Sequence, residues 1–219
     1  MNTEIEAALF DIGNVILPFD YSRAIRRLAT KNQSGREPDL DAVLASRMAL
    51  EAGKTSREEF LRVARREFGH TGTDAEFLEV WEDIFESSPE MNLLIEELAA
   101  RIPLFLLSNI SGIHRESIHR DFPIFSRFRG GVYSYEAGCL KPSSEIFTIT
   151  IQSLDLNPQK TLYLDDMAEN IATAREMGFQ CIHYARSRHA EALRTIHALP
   201  GLSQPSARAK DGCGPSGSE

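Results

Sequence analysis

At 219 residues the chain has room for one full α/β domain with an insertion and is too short for two ordinary independent domains. Its 42% hydrophobic and 26% charged residues are ordinary for a globular protein, while a net charge of −8 argues against nucleic acid or an anionic membrane as partner, because both require a basic surface. Cys139, Cys181 and Cys213 have no close spacing and suggest neither a disulfide framework nor a zinc site; with no signal peptide or membrane-length apolar run, they point to the cytoplasm.

The first element is the apolar run from Ala7 to Phe10. Four residues are too few for a helix and predict a buried strand, broken by Gly13 and Asn14, with Asp11 at its C-terminal end. Ligands of open parallel α/β sheets bind along that rim, which makes Asp11 a candidate for chemistry, although Asp-x-Gly-Asn is also good turn chemistry. Pro18-Phe19-Asp20-Tyr21 reads as a hinge. Residues 21–87 then show helical spacing and no convincing strand: Ile25, Leu28 and Ala29; Leu40, Val43, Leu44 and Met48; and the broad stripe Phe77, Val80, Trp81, Ile84 and Phe85. Ser56-Arg57-Glu58-Glu59 predicts a capping box. From residue 88 strands and helices alternate, with helices over 89–100, 112–120, 142–154 and 168–177 and strands over 102–107, 130–135, 161–164 and 179–184. Alternation of this kind predicts a parallel sheet covered on both faces. Residues 201–219, rich in Gly, Pro and Ser, are expected to be disordered.

Four strand ends carry polar groups in a fixed chain order: Asp11, then Ser108-Asn109, then Lys141, then Asp165-Asp166. This ordered set, covering residues 7–184, resembles motifs one to four of the haloacid dehalogenase (HAD) superfamily of phosphohydrolases. The resemblance implies a Rossmann-like parallel-sheet core over residues 1–18 and 88–200, with a helical cap inserted at 19–87. It also implies hydrolysis of a small phosphorylated metabolite through an aspartyl-phosphate on Asp11. Ser108 and Lys141 would hold the phosphoryl group, and Asn109 would contact it or the substrate.

Charge leads separately to a metal. Three carboxylates and a phosphate dianion in one cleft amount to about −5, and Lys141 returns only one positive charge. Mg²⁺ is the usual partner of a few carboxylates and a substrate phosphate. By the resemblance its ligands would be Asp11, the main-chain carbonyl of Gly13, and Asp166, with Asp165 as second choice.

One departure stands out. Most phosphatases of the superfamily have a second aspartate two residues after the first, as general acid and base, and this chain has Gly13. The form Asp-x-Gly-Asn-Val resembles a branch that includes sugar-1-phosphate phosphatases and lies near the phosphatase domain of soluble epoxide hydrolases. Whether an aspartate would fit at residue 13 depends on the backbone angle there. Two other readings remain: a catalytically weak or inactive binding or regulatory protein, and a 2-haloacid dehalogenase, which the Asp165-Asp166 pair disfavours. A monomer or homodimer is expected. His114 and His119 lie on different sides of a helix and are not a metal pair. His183 and His189 flank a strand end, and Glu51 to Lys54 read as a turn between helices that can reach a substrate.

Overall fold

The computed structural model describes residues 4–32 and 35–203. In chain order the chain forms β1 (Ala7–Phe10), α1 (Tyr21–Thr30), α2 (Leu40–Glu51), α3 (Arg57–Glu67), α4 (Asp74–Glu82), α5 (Pro89–Ala99), β2 (Leu104–Ser108) and α6 (Gly112–Asp121). It continues with β3 (Gly131–Tyr133), α7 (Ser134–Ala137), α8 (Ser144–Ser153), β4 (Thr161–Asp165), α9 (Ala168–Glu176), β5 (Gln180–His183) and α10 (His189–His197). The strands make one sheet in the order β3-β2-β1-β4-β5, every neighbouring pair parallel. The order reverses between β1 and β4, and such a switch point opens a crevice at the strands' C-terminal ends.

Strand pleating divides the core. Ala8, Phe10, Leu104, Leu106, Leu162 and Leu164 face one side, against Leu94 and Leu98 of α5 and Ile196 of α10. Leu9, Leu107 and Tyr163 face the other, against Ile146 and Phe147 of α8 and Ile171 of α9. With apolar packing on both faces the strands need hydrophobic residues at every position, which is why they appear in the sequence as unbroken runs. Two predicted elements are shorter than expected. The third strand stops at Tyr133 because Ser134 turns the chain into α7, its hydroxyl accepting from Ile110 N at 3.0 Å. The helix expected from 142 starts at Ser144, with Ser143 as its N-cap.

Helices α1–α4 bury a separate cluster around Trp81, with Phe60, Phe68, Phe77 and Leu28. Two connections join them to the sheet and run antiparallel: Asp20 N donates to Ile84 O and Glu86 N to Pro18 O, both at 2.9 Å. The capping box expected at Ser56 forms only by half. Ser56 Oγ accepts from Glu59 N, but the Glu59 carboxylate turns to Arg62. The complete box is Thr73 with Glu76, at the start of α4.

Helix α6, which follows β2, supplies Ile113 to the cluster of the inserted helices. Its neighbour His114 is buried, with Nε2 3.2 Å from the Trp81 carbonyl and Nδ1 3.3 Å from the Tyr21 hydroxyl. A carbonyl only accepts, so Nε2 carries the proton and Nδ1 is left as an acceptor facing the Tyr21 hydroxyl. Burial lowers the His114 pKa from 6.5 to about 4, with the Arg47 charge adding to the fall and the Trp81 carbonyl opposing it. The folded form therefore favours neutral His114. That contribution is complete above pH 6.5 and is lost as pH falls toward 4, amounting to about 3 kcal/mol at roughly 1.4 kcal/mol per pH unit. Denaturant titrations at pH 7.5 and 4.5 are expected to show His114→Gln losing less stability on acidification than the parent; equal losses would assign the acid sensitivity to other groups.

Leu202 is buried in the same cluster as Ile5, and Arg101 donates to the Leu202 and Ser203 carbonyls at 2.8 and 3.0 Å. Residues 201–203 are thus packed, contrary to the disorder expected from their composition, because Leu202 has a core site to fill. The rest of that segment, 204–219, lies outside the described residues. No helix among the described residues is long and apolar enough to cross a membrane.

Candidate active site

Lys141 sits between two carboxylates at the edge of the sheet. Its Nζ is 2.7 Å from Asp165 Oδ2, 3.0 Å from the Leu107 carbonyl and 2.9 Å from Asp11 Oδ1. The contact with Asp11 is at ion-pair distance without hydrogen-bond alignment, so Asp11 Oδ1 is a buried oxygen with no hydrogen bond of its own. The Lys141 side chain is 1% exposed, far from the solvated position usual for lysine. Burial alone would lower its pKa, but Asp11 and Asp165 outweigh that and hold the ammonium above its ordinary value.

Asn109 fixes this lysine. Lys141 N donates to Asn109 Oδ1 at 2.8 Å, and Asn109 Nδ2 donates to Lys141 O at 2.9 Å. Both ends of the carboxamide hold the main chain of Lys141, and Asn109 also lines the cavity described below. Ser108 is buried beside Asp11, where its hydroxyl favours the charged carboxylate.

The adjacent carboxylates of Asp165 and Asp166 differ sharply. Asp165 is fully buried and accepts from Lys141, the Tyr163 hydroxyl, Met167 N at 2.8 Å and Asn170 Nδ2 at 2.9 and 3.0 Å. Asp166 is half-buried, and its carboxylate accepts from Asn14 Nδ2 at 3.2 Å. Tyr163 and Asn170 were not singled out from the sequence. Their signals are local: a tyrosine two residues before the strand-end aspartate, and an asparagine in the first turn of the following helix.

Burial raises the Asp11 carboxyl to about 6; Lys141 opposes this and the charge of Asp165 adds to it. Burial also raises Asp166, with Asn14 pulling the other way. Asp11, Asp165 and Asp166 each offer an oxygen, and these lie within 4.8 Å of one another. Two further observations fit a hard cation there: the bare Asp11 Oδ1, and the Gly13 carbonyl, to which no group donates among the described residues. Asp165 fits less well as a ligand because its oxygens are already taken.

Above this edge is a cavity of about 50 Å³. Its floor is Ile12, Gly13, Ser108 and Asn109, and the remaining lining includes Phe19, Tyr21, Arg47, Glu51 and His114. Arg47 stacks on the Tyr21 ring at 4.5 Å and pairs with Glu51 at 2.7 Å. Lys141 is therefore joined by a second cation near the site. The backbone angle that glycine would ease is found one residue on, at Asn14 with φ 55°. What limits residue 13 is space: a Cβ there would lie 2.7 Å from Phe19 Cε1. His183 reaches the Asp166 carbonyl at 2.8 Å rather than a carboxylate, and His189 meets the Tyr184 hydroxyl at 3.0 Å.

Comparison with known proteins adds four findings. A family model described as haloacid dehalogenase-like hydrolase matches residues 5–178. A D-ribitol-5-phosphate phosphatase of Bacteroides thetaiotaomicron is 27% identical over 185 residues, covering 80% of this chain and 90% of that protein. Among solved structures, a HAD-like family hydrolase from Porphyromonas gingivalis is 26% identical with a TM-score of 0.74, over 89% of this chain and 98% of that one. A HAD family enzyme of Bacteroides thetaiotaomicron, solved with magnesium and inorganic phosphate, is 25% identical with a TM-score of 0.71, over 83% of this chain and 93% of that one.

Proposed function

This chain belongs to the haloacid dehalogenase-like hydrolases, and from that premise we propose that it is a Mg²⁺-dependent phosphomonoester hydrolase acting through an aspartyl-phosphate on a small, hydroxyl-bearing phosphate ester. The observation that carries the reading is the buried Asp11–Lys141–Asp165 array with the less encumbered Asp166 beside it. Asp11 is the nucleophile. Lys141 neutralises charge on Asp11 and on the transferring group, and Ser108 donates to a phosphoryl oxygen. Asp165, Asn170 and Asn109 position Lys141.

The Mg²⁺ ligands would be Asp11, the Gly13 carbonyl and Asp166. When bound, the ion offsets the negative charge of the carboxylates and the phosphate. The substrate class is supported by the phosphatase relative that acts on ribitol 5-phosphate and by the Arg47–Glu51 pair in a cavity of about 50 Å³. That volume holds only a few waters.

A phosphate-release screen over polyol and sugar phosphates, nucleotides and aryl phosphates, with and without Mg²⁺, tests the assignment. Mg²⁺-dependent release that favours polyol or sugar phosphates is expected. Full activity in EDTA would remove the metal, and no release from any ester would leave a binding protein. Asp166→Ala is expected to raise the Mg²⁺ concentration for half-maximal rate by more than the roughly 10–100-fold typical of losing an outer-shell partner. A loss of rate indifferent to Mg²⁺ would exclude Asp166 as a ligand.

A further inference from the structure

We propose that Glu51, at the C-terminal end of α2, is the general acid and base that residue 13 cannot be. The inference rests on the phosphatase reading and concerns where its protons come from.

Residue 13 has no side chain, and Phe19 holds the space that one would need. The proton must come from elsewhere, and four proton-bearing side chains other than the floor residues line the cavity over Gly13: Tyr21, Arg47, Glu51 and His114. Arg47 does not give up its proton. Burial, reinforced by Glu51, holds the Tyr21 phenol far above its ordinary range. The proton of neutral His114 is on Nε2, directed at the Trp81 carbonyl, and Nδ1 has none to give. Glu51 remains.

Its surroundings suit a group that must hold and release a proton. Arg47 Nη1 and the Tyr21 hydroxyl both meet Glu51 at Oε1, at 2.7 and 3.3 Å. Among the described residues nothing hydrogen-bonds Oε2, although the residue is nearly buried. Tyr21 is also 3.3 Å from His114 Nδ1 and has one proton for two acceptors. When Glu51 is ionised, Tyr21 donates to it. When Glu51 is protonated, Tyr21 turns its proton to His114 and leaves no buried acceptor charged and unpaired. Burial raises the Glu51 pKa, with Arg47 and Tyr21 opposing in part.

The cycle balances. As Asp11 bonds to phosphorus, the bond from phosphorus to the ester oxygen breaks; the leaving oxygen keeps the electron pair and takes the Glu51 proton, departing as an alcohol. Water then attacks phosphorus and gives a proton to the Glu51 carboxylate, while the Asp11–phosphorus bond breaks with its electron pair returning to Asp11. Phosphate leaves, and both carboxyl groups are restored.

The test is kcat/KM for the parent, Glu51→Gln and Glu51→Asp across phosphate monoesters ranging from p-nitrophenyl to alkyl leaving groups, with Mg²⁺ present. For Glu51→Gln the loss is expected to grow with leaving-group pKa, from under about 10-fold for the aryl ester to about 10²–10⁴-fold for alkyl esters. p-Nitrophenolate should appear in a burst, because the second step has lost its base. Glu51→Asp, which keeps a carboxyl group, should fall between the parent and the Gln variant. One uniform loss across the series would make Glu51 a substrate-holding or structural residue and overturn the proposal, as would an unchanged slope in Glu51→Gln. A Glu51→Asp slope as steep as that of Glu51→Gln would overturn it too, even if the Gln variant folds poorly. Hydrolysis of p-nitrophenyl phosphate by the parent needs little acid help and reads the phosphatase assignment on its own: without it, both proposals fall.

Discussion

Asp11→Asn is expected to abolish turnover, by about 10⁴–10⁶-fold, the scale on which enzymes lose rate when the attacking group is removed. The amide is a poor nucleophile and a neutral metal ligand. Stability should move the other way. Burial lifts the Asp11 carboxyl from 3.8 to about 6, so carrying its charge at pH 7 costs the fold about 3 kcal/mol. A carboxyl with a raised pKa contributes fully to the fold below 3.8 and loses that contribution as pH rises from 3.8 through about 6. The Asn variant has no such charge to carry. Phosphate release and a thermal melt in EDTA check both halves: the expected result is an inactive protein that melts no lower than the parent. Retained turnover would remove Asp11 as nucleophile, and a large drop in melting temperature would mean that its pairing with Lys141 outweighs its desolvation.

Lys141→Met is the second large effect, and here activity and stability should fall together. The ammonium lies between Asp11 and Asp165 with its side chain 1% exposed, so its removal leaves two buried carboxylates facing each other. Breaking a buried ion pair from one side typically costs about 3–5 kcal/mol, which for a chain of this size lowers the melting temperature by about 10 °C. The transferring phosphoryl group also loses its nearest side-chain cation. Melts with and without Mg²⁺ should show the ion restoring part of the lost stability, since it supplies positive charge to the same carboxylates. A variant as stable as the parent in EDTA would mean that Asp11 or Asp165 is protonated in the fold.

The contrast between neighbouring residues 165 and 166 shows why spacing alone could not rank them. Both are aspartates at one strand end, and either can ligate a metal. Asp165 continues the alternation of β4 inward, where Tyr163, Asn170 and Lys141 take up its oxygens, whereas Asp166 is past the strand and keeps most of its ligand capacity.

The strand ends, their polar residues and the order Asp11, Ser108, Lys141, Asp165 were legible in the sequence, because each is a local pattern: an apolar run, its break, and the residue at the break. The parallel sheet followed from alternation, since parallel neighbours need a crossover and helices supplied it. The tertiary structure alone decided what the side chains touch. Asn109 holds Lys141, 32 residues away, by both ends of its carboxamide, a contact that no local pattern announces. His114 is placed on a helix by its spacing, but Tyr21, 93 positions earlier, and Trp81 enclose it only in the folded chain. Glu51 reads as part of a turn between helices that can reach a substrate, and the fold makes it the last residue of α2 in the cavity it shares with Gly13. Such contacts depend on the packing of elements far apart in the chain, and hydrophobic periodicity fixes which face of an element is buried without fixing what it meets there.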